Sequence, residues 1–240
     1  MTENDKLTTG YRGWEYARIG DYHRNLDLSQ AWTHTYLRKM AFVRNFIEKF
    51  PKGAVQILDA GCGEGMLVED FSKLGWQIKG IDLNYESEYV KRGSVLSLPY
   101  PPNSFDLILF LDVFEHLAYA DQPLALKEIY RVLKKGGQLV ASIPNQAHLN
   151  SRFLMLFKGL LDRTDSEINH IGERPFAENR RMIENAGFII CQIKGLTLTV
   201  PVIYRRIFCR RPTWFRWLHD LFEPFAVPSL SLINVFICQK

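Results

Sequence analysis

An apolar run that ends in an acid and then meets glycine at alternate positions constrains this chain more than any other stretch. Residues 56–65 read QILDAGCGEG, with the acid at Asp59 and glycines at Gly61, Gly63 and Gly65. Glycine adopts positive φ readily and carries no side chain to block close approach. The stretch therefore predicts a short buried strand that turns sharply into a helix, so that a ligand can lie against bare backbone. The free N–H groups at the start of that helix would suit an anionic or polar ligand group.

The rest of the chain alternates to match. THTYLRKMAFVRNFIEKF (33–50) keeps a broad helical apolar stripe and stops at PKG, 51–53. AVQIL (54–58) reads as a first strand ending at Asp59, MLVEDFSKLG (66–75) as a helix closed by Gly75, and QIKGIDL (77–83) as a second strand. GSVLSLPYPPNSF (93–105) reads as loop with a brief strand at its start. DLILFLDV (106–113) is nearly continuous in apolar residues, as in a parallel strand buried on both faces. DQPLALKEIYRVLKKGG (121–137) predicts an amphipathic helix running to its terminal cations and glycines. QLVASIP (138–144) predicts a strand, SRFLMLFKGLL (151–161) and AENRRMIENAG (177–187) helices, and FIICQIKGLTL (188–198) and LINVFICQ (232–239) the last two strands. This alternation predicts an α/β fold: a doubly wound, Rossmann-like, seven-stranded and mostly parallel sheet.

At 240 residues the chain can bury one sizeable core, so a single domain over 1–240 is expected. Its parts are an N-terminal helical cap (1–50), a core (51–197), an insertion before the last strand (198–231) and the last strand itself (232–240). A formal net charge of +4 is too small to argue for nucleic acid. Cys62, Cys191, Cys209 and Cys238 form no CxxC pair, so neither a zinc ribbon nor a disulfide framework is indicated. The polar start MTENDKLTTG lacks the apolar core of a signal peptide, and no apolar run is long enough to span a bilayer. A cytoplasmic location is the expectation.

In a doubly wound sheet, ligands sit outside the carboxyl ends of the strands. The dinucleotide fingerprint GxGxxG needs its third glycine three residues after the second. Met66 stands there, and Gly65 comes one residue early. A phosphate-loop GxxxxGK[ST] is absent from the sequence. Asp82, within GIDLN at the end of the second strand, is placed to accept both hydroxyls of a ribose.

Taken together, these stretches resemble the class I S-adenosylmethionine-dependent methyltransferases. ILDAGCGEG resembles their first motif, (D/E)xGxGxG, and GIDLN their second. LPYPPNSFDLILFLDVFEHL, EIYRVLKKGGQLVASIPN and ENAGF resemble the later stretches, so that the likeness covers about residues 35–195. In flavour it is nearest to the small-molecule and quinone-type members. The resemblance implies S-adenosyl-L-methionine as cofactor. It places Asp59 and Gly61 at the methionine part, with the backbone of Cys62 and Gly63 beside it. Asp82 would hold the ribose, Leu83 would pack on the adenine, and Ser94 and Val95 would flank the adenine amine. Leu111 would offer backbone near the methionine amine. Ser94 departs from the acid many relatives carry there, although a hydroxyl can also accept. Arg38, on the first long helix, is the candidate cation for the methionine carboxylate.

For the transfer itself, His116 in DVFEHL and His170 in INHIGERPF are the candidate catalytic bases toward a hydroxyl acceptor. The bland readings are a histidine that caps or packs the next helix, and a solvated loop histidine. Asp112, Glu115 and His116 resemble a divalent-metal set of quinone-type members. Asp112 stands where that pattern has Glu, and no resident metal is assigned. The acceptor is expected to be a small molecule, methylated at oxygen. A lipid-linked or membrane-surface acceptor and a non-catalytic cofactor-binding scaffold stay open as alternatives. Nucleic acid is not expected, because SIPNQ follows the fifth strand and no Asn-Pro-Pro-Tyr type signature follows the fourth. Tyr11, Trp14, Tyr16, Tyr22, His23 and His34 read as a lid or as packing for one. In the insertion, Arg205, Arg206, Arg210, Arg211 and Arg216 mix with Phe208, Trp214, Phe215, Trp217 and Phe222. That mixture fits core packing under a solvated basic face, a membrane-surface contact through 204–222, or a homodimer contact.

Overall fold

The computed structural model of the chain describes residues 26, 31–162, 170–204, 207 and 216–240. Helix α1 (Ala31–Ile47) precedes strand β1 (Gln56–Ala60), helix α2 (Met66–Lys73), and strands β2 (Gln77–Asp82), β3 (Val90–Arg92) and β4 (Phe105–Leu111). A one-turn 3-10 helix (Phe114–His116) leads to α3 (Gln122–Val132), β5 (Leu133–Pro144) and α4 (Leu149–Lys158). The chain ends with α5 (Phe176–Asn185), β6 (Ile189–Leu198), α6 (Arg216–Phe222), a second 3-10 turn (Glu223–Phe225) and β7 (Ser231–Gln239). The strands form one seven-stranded sheet in the order β3-β2-β1-β4-β5-β7-β6. All neighbours are parallel except β7, which runs antiparallel to both β5 and β6.

The apolar run of β4 is explained by burial on both faces. Ile108 and Phe110 pack into a core with α3 and α5, while Leu107 and Leu109 pack into the opposite core with α1 and α2. Successive strand residues point to opposite faces, so a sheet covered on both sides needs apolar residues at every position.

Among the element boundaries that shift from the sequence reading, three bear on the parallel part of the sheet. The first strand begins at Gln56, not Ala54, and runs through Asp59 to Ala60. The brief third strand falls before Gly93, over Val90–Arg92. The third helix stops at Val132, because Leu133 is already extended (φ −73°, ψ 135°) and pairs with Phe105 of β4. Lys134 then meets Asp106 at 2.8 Å, so this cation serves the sheet and not the helix end.

The first half of α1 lies over β6 and the insertion. Thr35 and Thr197, both buried, share a 2.6 Å hydroxyl hydrogen bond. Arg38 pairs with Asp220 of α6 (2.9 Å) and with Glu223 (3.0 Å). Among the described residues, no helix is long and apolar enough to cross a membrane. Tyr11, Trp14, Tyr16, Tyr22 and His23 lie outside the described residues. So do Arg205, Arg206, Phe208, Arg210, Arg211, Trp214 and Phe215.

Candidate functional site

The glycine turn joins β1 to α2, and every glycine in it has positive φ: 78° at Gly61, 57° at Gly63 and 75° at Gly65. Two carboxylates flank it. Asp59 is 5% exposed and Asp82, the last residue of β2, is 4% exposed. Gly63 N donates to Asp82 Oδ2 at 2.9 Å, and Asn84 N donates to Asp82 Oδ1 at 2.9 Å. The turn is also held from beneath, since Gly61 N (2.7 Å) and Cys62 N (3.2 Å) both donate to Ile81 O. The Cys62 thiol packs toward β2, where a Cβ added at Gly80 would stand 2.8 Å from its sulfur. Burial, with Asp59 and Asp82 nearby, pushes that thiol far above its ordinary range. Cys62 therefore offers backbone, not a reactive side chain.

Space at Gly61 is as restricted as its backbone. An added Cβ would lie 2.4 Å from Val113 Cγ2. Overpacking of this kind costs about 1–3 kcal/mol, and left-handed φ in a non-glycine residue adds about 1 kcal/mol more. Gly61→Ala is expected to lower the melting temperature by roughly 5–15 °C, given about 2–4 °C per kcal/mol for a chain of this size. Thermal unfolding followed by circular dichroism checks this, and an unchanged midpoint would contradict the crowding argument.

Opposite the turn, the carboxyl end of β4 carries a charged cluster that the sequence reading missed in part. Asp112 follows β4 with φ 54°, left-handed for a non-glycine residue. Its N donates to Ser142 O at 3.0 Å, and Ser142 Oγ donates to its Oδ1 at 2.5 Å. Its Oδ2 accepts from Lys39 Nζ of α1. Lys39 is 3% exposed. Burial lowers its pKa to about 8, against the opposing pull of Glu115 and Asp59. Burial raises Asp59 to about 7, with Asp82 adding to the rise and Lys39 opposing it. Burial likewise raises Glu115 to about 7, with His170 and Lys39 opposing. One buried ammonium thus stands among several buried carboxylates at the crevice.

The remaining sequence-predicted residues divide into those at this crevice and those beside it. Arg38, next to Lys39 on α1, turns instead to Asp220 and Glu223. Leu83, just past β2, is 41% exposed. Ser94 Oγ accepts from Leu96 N at 3.1 Å, which uses part of its acceptor capacity. Val95 is buried in the core. Leu111 ends β4 and pairs with Ser142. The rings of His116 and His170 meet edge to face with centroids 4.8 Å apart. Glu173, 1% exposed, bonds His170 Nδ1 at 3.1 Å. Lys39 and Glu173 were not singled out from sequence. Lys39 did leave a signal, because Thr35, Lys39, Val43 and Ile47 follow the i, i+4 spacing of the buried stripe on α1.

Bare positive-φ backbone between two buried carboxylates, at the carboxyl ends of adjacent parallel strands, defines the class of Rossmann-like α/β proteins and its customary crevice. The chain carries the class I S-adenosylmethionine-dependent methyltransferase fold, and residues 58–141 match the methyltransferase domain family. A probable S-adenosylmethionine-dependent methyltransferase of Mycolicibacterium smegmatis is 28% identical over 152 residues, covering 58% of this chain and 54% of that protein. A ubiquinone biosynthesis O-methyltransferase of Bradyrhizobium sp. is 32% identical over 128 residues, covering 47% of this chain and 50% of that protein. The chain spans about half the length of these curated relatives. Among solved structures, the Burkholderia thailandensis 1,6-didemethyltoxoflavin-N1-methyltransferase with bound S-adenosylhomocysteine superposes with a TM-score of 0.56 at 18% identity. That match covers 95% of this chain and 87% of the other.

Proposed function

We propose that this chain transfers a methyl group from S-adenosyl-L-methionine to a small-molecule acceptor, at a hydroxyl oxygen. The observation that carries the cofactor half is the Asp82–Gly63 contact. It ties a buried carboxylate at the end of β2 to the bare turn after β1. The residues fit the cofactor's groups. Asp82 suits the ribose hydroxyls, exposed Leu83 the adenine face, and Asp59 the methionine ammonium. Lys39, in place of Arg38, suits the methionine carboxylate. When bound, the cofactor supplies an electrophilic methyl on a sulfonium centre. The chain's own task is to align the acceptor and to take its proton. His116 and His170 are the groups proposed for that proton, with Glu173 fixing the His170 tautomer.

Calorimetric titration with S-adenosylhomocysteine tests the reading, and no heat at millimolar ligand would overturn it. The two shifted groups also set its pH profile. Asp59 must be ionised to meet an ammonium, so affinity rises as pH climbs through about 7. Lys39 must be protonated to meet a carboxylate, so affinity falls above about 8. A bell with its maximum between these values is expected. A flat profile from pH 6 to 9 would remove these two roles.

A second reading, a lipid-linked acceptor, is favoured by one observation. On and just after α4, Leu156 (78%), Phe157 (67%) and Leu160 (58%) are exposed, as is Trp217 (59%) on α6. Cosedimentation with anionic vesicles distinguishes the two readings, since only the second needs binding there.

A further inference from the structure

His116 and His170 sit on segments far apart in sequence, the 3-10 turn after β4 and the loop before α5. Their rings nevertheless meet with centroids 4.8 Å apart. Something must clamp the turn to the loop. We propose that Gln122, the first residue of α3, is the positioning residue that does so, and that it thereby sets the geometry of the two imidazoles. The use of that geometry in proton transfer rests on the methyl-transfer reading, whereas the clamp itself does not.

Gln122 is fully buried, and both ends of its amide are engaged. Nε2 donates to Phe114 O of the turn (3.0 Å) and to Gly172 O of the loop (2.7 Å), with Leu117 O at 3.4 Å. Oε1 accepts from Arg174 Nε at 2.7 Å. Carbonyls on one side and a guanidinium on the other fix the orientation of the amide. The position calls for two donors and an acceptor on one side chain of this length. Glutamate lacks the donors, lysine lacks the acceptor, and asparagine is a methylene too short.

The loop lies close enough for this clamp to act on both histidines. Gly172 N donates to Glu115 O at 2.9 Å, one residue from His116. A Cβ added at Gly172 would stand 2.0 Å from Leu117 O and 2.3 Å from Gln122 Nε2. Arg174 extends the contact, because its guanidinium lies 4.3 Å from the centroid of the Tyr119 ring. Tyr119 OH donates to Glu173 O at 2.9 Å, and Glu173 bonds His170 Nδ1 at 3.1 Å. At the far end of the loop, Gln146 N donates to Arg174 O at 3.1 Å, just beyond β5.

A buried polar network with its members bonded specifies one arrangement, and deleting one member leaves the others buried without partners. Here Gln122 is the member shared by turn and loop. Fully buried, it meets no ligand and acts only through the segments that carry the histidines. Such placement matters for proton transfer, since a misplacement of about 1 Å at a reacting group can cost about 100-fold in rate.

The test reads nuclear Overhauser contacts between histidine rings in the full chain, with signals assigned from His116→Gln and His170→Gln. The wild type should show a cross-peak between the two imidazoles. Gln122→Met, which keeps the side chain's length and removes its amide, should lose that cross-peak while S-adenosylhomocysteine affinity stays at its wild-type value. A residue that served core packing alone would lower the melting temperature and leave the cross-peak in place. Gln122→Glu, whose protonated carboxyl can still donate to one carbonyl and accept from Arg174, should keep a weakened cross-peak. Arg174→Met opens the clamp from the loop side, should weaken the cross-peak as well, and decides the matter if Gln122→Met does not fold. An unchanged cross-peak in folded Gln122→Met, or in Arg174→Met where that variant serves, would overturn the proposal. Wild-type protein that binds S-adenosylhomocysteine but lacks the cross-peak removes the clamp alone. Wild-type protein that shows the cross-peak but binds no S-adenosylhomocysteine keeps the clamp and removes the methyltransferase reading, with thermal melting then reporting whether the variants fold.

Discussion

Asp82→Ala should weaken S-adenosylhomocysteine binding by at least 100-fold. Two effects combine. Under the proposed function, the carboxylate accepts both ribose hydroxyls, and hydrogen bonds to a charged group are worth about 1.5–3 kcal/mol each. Two of them amount to roughly 3–6 kcal/mol, or about 10²–10⁴ in affinity. The same carboxylate also holds the turn, through Gly63 N at 2.9 Å and Asn84 N at 2.9 Å. Its removal leaves a backbone donor of the glycine turn without its acceptor, so the cradle loosens as the ribose contact is lost. Asp82→Asn keeps one acceptor and should lose less than Asp82→Ala. Calorimetry on the three proteins gives the comparison. A loss under tenfold for Asp82→Ala would place the ribose elsewhere.

The parts of the molecule legible in the sequence were those set by local physics. The glycine turn needs positive φ at Gly61, Gly63 and Gly65, and no other residue type supplies it as readily. The strand–helix order followed from periodicity, which survives in any one segment. Boundaries were less legible. The apolar character of Leu133 extends the helical pattern of α3, yet pairing with Phe105 pulls it into β5. That competition is decided by a strand distant in sequence.

The charged cluster was legible only in part, for a related reason. Arg38 and Lys39 are neighbours, but adjacent helical residues differ by about 100° around the axis. Which of them faces the crevice depends on how α1 docks, and Arg38 is drawn to Asp220 and Glu223 of the insertion. His170 and Glu173 have the i, i+3 spacing that lets them pair. Their approach to Glu115 depends on Gly172 lying against Leu117, a contact that no local pattern announces.

Lys39→Met should be the most destabilising single change at this site, and its cost should grow with pH. The substitution fits the space of a buried straight chain but removes the ammonium from between Asp112, Asp59 and Glu115. Breaking a buried pair by deleting one partner costs about 3–5 kcal/mol, because the other charge stays buried. For a chain of this size that is roughly 6–20 °C in melting temperature. The pH dependence follows from linkage. Asp59 and Glu115 titrate near about 7 with Lys39 present, and Lys39 is one of the influences holding both down. Without it their folded-state values rise further above those of the unfolded chain. The folded variant then binds more protons than the folded wild type as pH climbs through this range, so its stability falls faster. At pH 6 both carboxylates are largely protonated in either protein, and the variant gives up mainly the Asp112 pair. By pH 8 it also bears the uncompensated charge of the other two. Denaturant titrations of both proteins at pH 6, 7 and 8 measure the gap directly. A gap that stays constant or shrinks over this range would mean that the ammonium does not compensate Asp59 and Glu115.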